Sequence, residues 1–293
     1  MAESEGSGRK WLTCGCVGCL VVVGLIVLVV GVLFGTARFG VSSEEVEDRV
    51  LTPEIPDSAN PGRVVLRLSA GEFRVRPADP GEPLHIEAKY DRQSYELREH
   101  LETGADSWTY ELEFERTGHI VMSMLKGFLG GTSSRVDVFL PRDVPLELEL
   151  WVKQGQVKVQ LGGLWLTAVE AEFQQGGFEL EFDEPLHEPL GRLVLHGSMG
   201  GFVATGLGNA SPRRLEVDFS MGGMQLDLRG RWVADSEITI RTTQGGGVIR
   251  LPRDVEIVGL ETSRTAIRGD AELPRPTLTF SVSNDRGELE IIE

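Results

Sequence analysis

Cysteine is nearly absent from the sequence, and its few copies are confined to one short segment. The chain of 293 residues has three cysteines, Cys14, Cys16 and Cys19, and none follows them. The rest of the chain therefore has no disulfide and must rely on its hydrophobic core for stability. The segment "CGCVGC" lacks the histidines and the spacing of a zinc site. Two explanations remain for it: small residues at the edge of a membrane helix, or lipid modification.

Positive charge is also scarce. The sequence has 29 Lys and Arg against 45 Asp and Glu, a net charge of −16. Such a chain is repelled by phosphate backbones, so we expect no nucleic-acid partner. Many acids alternate with apolar residues and are expected to face outward. There they form a solvated face that discourages edge pairing, or a surface for calcium or a partner. These acids are Glu147, Glu149, Glu170, Glu172, Glu179, Glu181, Asp218 and Asp227.

Recognisable catalytic motifs are missing. G-x-S-x-G elbows, phosphate loops and dinucleotide fingerprints do not occur. An acid pair on neighbouring strands, Glu181 with Glu172 or Asp227, is the remaining enzymatic alternative, as in polysaccharide cleavage. The tryptophans, however, do not form one stripe on which sugars could stack. Histidines without the i, i+4 spacing of a helical metal site are His85, His100, His119, His187 and His196. We therefore predict a protein that is not an enzyme and has no cofactor or metal.

Charge is missing altogether from residues 11–37. This run is long enough to cross a bilayer once, and it is longer than the apolar core of a cleaved signal peptide, which is the alternative. Arg9 and Lys10 precede it and the acidic "EEVED" (44–48) follows, so residues 1–10 are predicted to be cytoplasmic and 38–293 extracytoplasmic. We predict a single-pass anchor. A tail of about ten residues cannot signal alone, so any signal needs a membrane partner.

Glycine, in contrast, is abundant and regularly spaced. Residues 38–61 are acidic and then rich in Pro and Ser, which is typical of a linker or a short stalk helix. From 62 to 293, units of strand, glycine and strand recur about every 22 residues. One gap is close to two periods, and "LETSRTAIRGD" (260–270) is predicted to fill it as a unit without the glycine. The reference glycines are Gly71, Gly155, Gly176, Gly200, Gly222, Gly246 and Gly287.

Each glycine shifts a period-two alternation by one residue. Leu215 and Phe219 share one face before Gly222, and Met224 and Leu226 continue that face after it. Such a unit cannot bury its apolar face alone, but stacked units share a continuous core. We predict a mainly β repeat protein, a β-solenoid with glycines at its corners, where a side chain would be crowded. The alternative is an antiparallel β-sandwich or meander in which the glycines mark hairpin turns.

Residues 120–134, "IVMSMLKGFLGGTSS", are the most apolar stretch without periodicity outside the predicted anchor. A loop of this kind can contact a partner or the bilayer. The alternative is a cap that folds over the open end of the solenoid. The candidate contact residues are Met122, Met124, Leu125, Phe128 and Leu129.

Several segments resemble a known group of bacterial proteins. "VVLRLSAGEFRVRP" (64–77), the lead-in "PRDVPLELEL" (141–150) and the glycine-centred units resemble the toast-rack domain of LiaF-like envelope proteins. They are also similar to adhesin-type β-solenoid families of bacteria. The resemblance covers roughly residues 62–293. It implies a β-solenoid at a bacterial envelope and carries no catalytic residues.

These observations lead to one main functional hypothesis and two narrower ones. The main hypothesis is a non-catalytic interaction or scaffold module anchored in the bacterial cytoplasmic membrane. The LiaF resemblance implies a role in envelope-stress signalling through a membrane partner, although LiaF-like proteins have several spans and this chain has one. The adhesin resemblance implies binding to a glycan or a cell surface. The sequence names no ligand.

Overall fold

The computed structural model describes residues 46–55, 60–117, 134–260 and 275–293. The chain divides into two compact units, Met1–Glu45 and Val46–Glu293. The first unit lies outside the described residues, and with it the predicted tail 1–10, the predicted anchor 11–37 and the three cysteines. In the described ranges no helix has both the length and the apolar character needed to span a membrane.

Almost every element in the described part of the second unit is a strand, so the prediction of a mainly β protein is confirmed. Among the same residues, one short helix, α1, covers Leu207–Ala210. The strands are β1 Val46–Leu51, β2 Gly62–Pro77, β3 His85–Asp91, β4 Tyr95–Thr103, β5 Trp108–Arg116, β6 Arg135–Leu140, β7 Leu146–Gln160, β8 Leu166–Glu181, β9 Arg192–Thr205, β10 Arg214–Asp227, β11 Ser236–Arg250, β12 Glu256–Val258, β13 Thr277–Arg286 and β14 Leu289–Ile292.

The long strands lie side by side and in parallel, in the order β2, β7, β8, β9, β10 and β11. Equivalent residues are neighbours: Leu215 pairs with Leu193 on one side and with Ile238 on the other. At one end of this stack, β2 pairs with β5 and then with β6. At the other end, β11 pairs with β13 and then with β14. The parallel pairing excludes an antiparallel meander for these strands.

Antiparallel pairs join the sheet beside β2, which makes the sheet a mixed one. β4 pairs with β5, and β3 lies between β6 and β1. Strand β1 lies within 38–61, the segment that the sequence predicts as a linker or stalk helix. That prediction is corrected for residues 46–51, which pair with β3 and place the Glu47 carboxylate 2.8 Å from the hydroxyl of Tyr90. The charged residues that indicate a linker also suit a strand with one solvated face.

In each long strand, the alternating positions whose side chains are buried shift by one residue at the glycine. In β8, Phe173 precedes the glycine pair and Phe178 follows it, and both side chains are buried. Their rings stack with centroids 4.9 Å apart. Five residues of straight strand would separate them by about 16 Å, so the strand must fold back between them. The parts of a long strand before and after its glycine, here called the first and second arms, therefore face each other across the core.

No strand lies between β11 and β13 in the sheet, and the unit predicted at 260–270 lies outside the described residues except for Leu260. β13 pairs directly with β11, so equivalent residues such as Ile238 and Phe280 are neighbours. The chain leaves the stack after Arg250, and β12 returns to pair with the far side of β13. Residues 261–274 lie outside the described ranges. Spacing alone could not separate a degenerate repeat from an insertion of similar length.

The segments that connect successive long strands are joined by side-chain hydrogen bonds. The amide nitrogen of Asn209 donates to the carbonyl oxygen of Phe182 at 2.8 Å, and its amide oxygen accepts from the backbone N–H of Arg231 at 3.1 Å. The Ser211 hydroxyl oxygen likewise accepts from the N–H of Val233 at 3.0 Å. These bonds satisfy backbone groups that the strand ladders leave open.

Candidate interaction surface

A column of glycines crosses the stack of long strands. From Gly71 to Gly245, each member pairs in register with the glycine of the neighbouring strand, and Gly287, between β13 and β14, lies against Gly245. From Gly155 to Gly287, a Cβ atom on each would lie 1.6 to 2.1 Å from the carbonyl oxygen of the preceding member. All have positive φ, a region in which residues with a Cβ are strained. The column consists of Gly71, Gly155, Gly176, Gly200, Gly222, Gly245 and Gly287.

Six of these glycines are the predicted ones, and one assignment is corrected. Gly245, which has a φ of 138°, pairs with Gly222, whereas the predicted Gly246 pairs with Gly223. Three consecutive glycines occupy 245–247, so the alternation pattern alone does not identify the one in the column.

The outward side chains of the first arms form a broad charged surface, here called the first-arm outer face. One of its rows consists of Trp151, Glu172, His196, Asp218 and Arg241 on five successive strands. Cations are interleaved with the acids. Arg241 Nη1 lies 3.0 Å from Glu216 and 3.4 Å from Asp218, and His196 Nδ1 lies 3.5 Å from Asp218. Hydrogen bonding to Glu216 raises the pKa of Arg241.

Asp227, on the second arm, is also engaged by an arginine. Its carboxylate accepts from the side-chain Nε of Arg229 at 2.8 Å and from the backbone N–H of Arg229 at 3.0 Å. These bonds lower the pKa of Asp227. In the part of the chain that the structure describes, no three His, Cys, Asp or Glu side chains converge as a metal ion would require.

The acid pairs considered for polysaccharide cleavage do not come together. Glu172 lies on the first arm of β8 and Glu181 on its second arm, on opposite sides of Gly176. Glu181 pairs in register with Thr205, which separates it from Asp227 on the next strand. Their backbones are thus about two strand spacings, or about 9.6 Å, apart, so Glu181 and Asp227 are not direct neighbours in the sheet.

An exposed tryptophan interrupts the charged rows. Trp151 is 37% exposed and pairs in register with Arg67 on one side and Glu172 on the other. It lines a cavity of about 270 Å³. The Nε of Arg67 donates to Glu111 at 2.5 Å, and this bond raises the pKa of Arg67. Polar residues that share the cavity wall with Trp151 are Arg67, Ser69, Glu115, Lys153, Glu172 and Gln174, and Lys153 Nζ lies 3.9 Å from Glu115.

The bend of the long strands next to the glycine column, here called the apex, carries a small apolar patch. Met199 and Met221 pair in register and are 46% and 44% exposed. In the same row, the neighbouring strands carry Gln175 and Gln244. The two methionines therefore lie between two strands that present amides in this row.

The predicted contact loop, with Met122, Met124, Leu125, Phe128 and Leu129, lies outside the described residues. The cavity at Trp151 was missed from the sequence, although a signal for it was present. Trp151 continues the outward series of Glu147 and Glu149 in "LELELW", so the alternation already placed this large aromatic ring on the solvent side.

No protein-family model matches the chain, and no curated protein matches it in sequence. The toast-rack and LiaF resemblance is therefore not confirmed. Among solved structures, the chain is similar to a "putative cell adhesion protein" from Clostridium sporogenes, with 12% identity, a TM-score of 0.40, and coverage of 85% of this chain and 99% of that one. It is also similar to a "putative adhesin" from Parabacteroides merdae, with 10% identity, a TM-score of 0.22, and coverage of 86% and 98%. Similarity at this level does not define a shared function.

Proposed function

We propose that the chain is a membrane-anchored bacterial envelope protein whose repeats form a β-solenoid and bind saccharides at a cell surface without catalysis. The solenoid is supported by the parallel register, by the glycine column and by the fold-back between Phe173 and Phe178. Strands stacked in this way form a stiff body, because each long strand is hydrogen-bonded on both sides. Such a body presents its outer face as a fixed surface.

The observation that carries the proposal is the cavity at Trp151. An exposed indole ring offers a flat apolar surface against which the C–H face of a sugar ring can pack. Around it, Arg67 and Lys153 supply donors, Glu172 supplies acceptors and Gln174 supplies both. A volume of 270 Å³ is close to the lower end of the range for small-ligand sites, about 300 Å³. The cavity therefore suits one sugar unit of a longer glycan.

The experiment measures glycan binding by the full-length chain in phosphatidylcholine nanodiscs, on an array of bacterial surface saccharides. Trp151→Ala is expected to weaken binding about tenfold or more, because stacking on an aromatic ring is lost. Trp165→Ala is the matched control. Trp165 is partly buried and its ring lies 6.2 Å from that of His187, away from the cavity. Unchanged binding by Trp151→Ala, with the parent's melting temperature, would contradict the proposal.

The anchor and its orientation are part of the same proposal and need a separate test. The uncharged run 11–37, with Arg9 and Lys10 before it, supports an N-terminus in the cytoplasm. External protease added to spheroplasts is expected to remove an epitope at the C-terminus and to spare one at the N-terminus. Protection of the C-terminal epitope would reverse the orientation, and release of the chain into the medium would indicate a cleaved signal peptide.

A further inference from the structure

Besides the cavity at Trp151, the first-arm outer face has a groove that contains a group of arginines, although the chain has a net charge of −16. The groove has a volume of about 610 Å³ and lies where β9, β10, β11 and β13 begin. Its wall includes Arg192, Arg213, Arg214, Ser236, Glu237 and Thr277. From these groups we infer that the groove is a binding site for a phosphate group carried by a polyhydroxy compound.

Two of the arginines are neighbours in one row. Arg192 directly precedes Leu193 and Arg214 directly precedes Leu215, and these two leucines pair in register. Like charges on adjacent strands repel each other. The two guanidinium groups turn away from each other: Arg192 pairs with Glu170 at 3.3 Å, and Arg214 pairs with Glu237 at 3.5 Å. An anion between them would relieve this repulsion.

The third arginine is available to a ligand. The backbone of Arg213 is fixed, since its N–H donates to the carbonyl oxygen of Leu190 and its own carbonyl oxygen accepts from the N–H of Glu237. Its side chain is exposed and has no ion-pair partner among the residues that the structure describes. Three guanidinium groups around one cavity match the several acceptor oxygens of a phosphate, which arginine binds through paired N–H donors.

The groove wall also supplies acceptors beside the arginines. The carboxylate of Glu237 and the hydroxyl of Thr277 add acceptors for ligand hydroxyl groups. These features favour a phosphate on a polyol over a bare phosphate ion.

The acidity of the whole chain does not prevent such binding. At physiological ionic strength, charges further away than about 8 Å are largely screened. Locally, the three arginines are balanced by Asp235 and Glu237 in the groove wall and by Glu170 and Glu147, which pair with Arg192, so a ligand must take the place of these acids on the guanidinium groups. The existing ion pairs are exposed, with side-chain exposures of 46% for Arg192 and 63% for Arg214, so they contribute little and can rearrange around a ligand.

The test titrates the full-length chain in phosphatidylcholine nanodiscs with glycerol 3-phosphate, inorganic phosphate and glycerol by calorimetry. We expect saturable binding that is tighter for glycerol 3-phosphate than for inorganic phosphate, and no binding of glycerol. Arg213→Gln should weaken binding about tenfold, because a charged hydrogen-bond donor is lost. Arg253→Gln removes the same charge from an exposed site outside the groove and should change the affinity less than twofold, about the limit of a screened distant charge.

Absence of saturable binding by both phosphate probes, or equal weakening by Arg213→Gln and Arg253→Gln, would overturn the inference. A flotation assay with phosphatidylglycerol vesicles distinguishes the sources of the phosphate. If the nanodiscs float with the vesicles and Arg213→Gln abolishes this flotation, the phosphate belongs to a lipid headgroup. Binding of the soluble probe without flotation would identify a free or polymer-borne phosphate. Trp151→Ala should retain phosphate binding, so the two proposed sites can fail separately.

Discussion

A Cβ atom placed on Gly222 would lie 2.0 Å from the carbonyl oxygen of Gly200. This is far inside van der Waals contact, and the same approach recurs along the column. Backbone of one strand therefore packs directly on backbone of the next at the fold-back. The glycines are required by two independent effects, a positive φ and the absence of space for a side chain.

Gly222→Val is therefore expected to destabilise the protein by at least about 2 kcal/mol, since strained backbone angles and the clash with Gly200 add. Gly223→Val is the control on the adjacent residue. A Cβ at Gly223 meets no atom within 4 Å and its φ is not positive, so valine should change stability by no more than about 0.5 kcal/mol. Thermal and denaturant unfolding measure both. Equal melting temperatures for the two variants would contradict the role of the column.

A second pair of variants tests which glycine of the triplet 245–247 belongs to the column. Gly245→Ala should destabilise strongly, because its Cβ would lie 2.1 Å from the carbonyl oxygen of Gly222. Gly246→Ala places its Cβ 3.4 Å from the nearest atom, an ordinary contact, and should be nearly neutral. The same unfolding measurements apply. A larger effect at Gly246 would restore the assignment made from the sequence.

The repeat was predictable because its two physical signals are local. Alternation marks each arm, as with Leu215 and Phe219, and a glycine marks each change of phase. The neighbours of each strand were not predictable in the same way. Strand β1 carries as many charges as a linker, and its pairing with β3 depends on residues about forty positions away. Likewise, the segment between β11 and β13 has the length of a repeat, and only the strand pairing shows that β13, and not this segment, lies next to β11.

The candidate sites were less predictable than the fold. The solvent-facing position of Trp151 follows from alternation, but its cavity needs Arg67 and Glu172 from two other strands. Arg192 and Arg214 are one repeat period of 22 residues apart, so the spacing indicates them as neighbours, but the inclusion of Thr277 from β13 in the same groove follows only from the pairing of β13 with β11. Pairing register, which sequence patterns fix weakly, determined both sites.

The stacked rings of Phe173 and Phe178 provide a test of the fold-back in solution. Phe173→Ala should cost about 3–5 kcal/mol, because the ring is buried and contacts three other phenylalanines. A double-mutant cycle with Phe178→Ala should show a coupling of about 0.5–1.5 kcal/mol, as for aromatic pairs in contact. Phe280, on β13, is the control partner, and its cycle with Phe173 should be additive. Additivity for Phe173 and Phe178 would mean that the two arms do not face each other.

The Asp227–Arg229 contact predicts a pH dependence of stability. Because the folded-state pKa of Asp227 is lowered, its contribution is fully present above the unfolded value of about 3.9 and is lost as the pH falls through the folded value. Asp227→Asn should therefore lower the melting temperature at pH 7 by about 2–4 °C, the shift that corresponds to 1 kcal/mol. This difference should shrink steadily below about pH 4. A difference that stays constant down to pH 3 would contradict the cause assigned to the pKa shift.

The exposed methionines beside the glycine column should oxidise before the buried one. Met199 and Met221 are 46% and 44% exposed, whereas Met224, three residues from Met221, is 4% exposed. Peroxide reaches exposed thioethers first, so mass spectrometry of peptides after brief treatment should show sulfoxide at Met199 and Met221 well before Met224. Because glutamines occupy the same row at Gln175 and Gln244, polar side chains are already accommodated there. Oxidation of Met199 and Met221 should therefore leave the melting temperature within about 1 °C of the parent value, whereas oxidation of Met224 should lower it. Equal oxidation rates at the three positions would show that the apex is not exposed in solution as the structure has it.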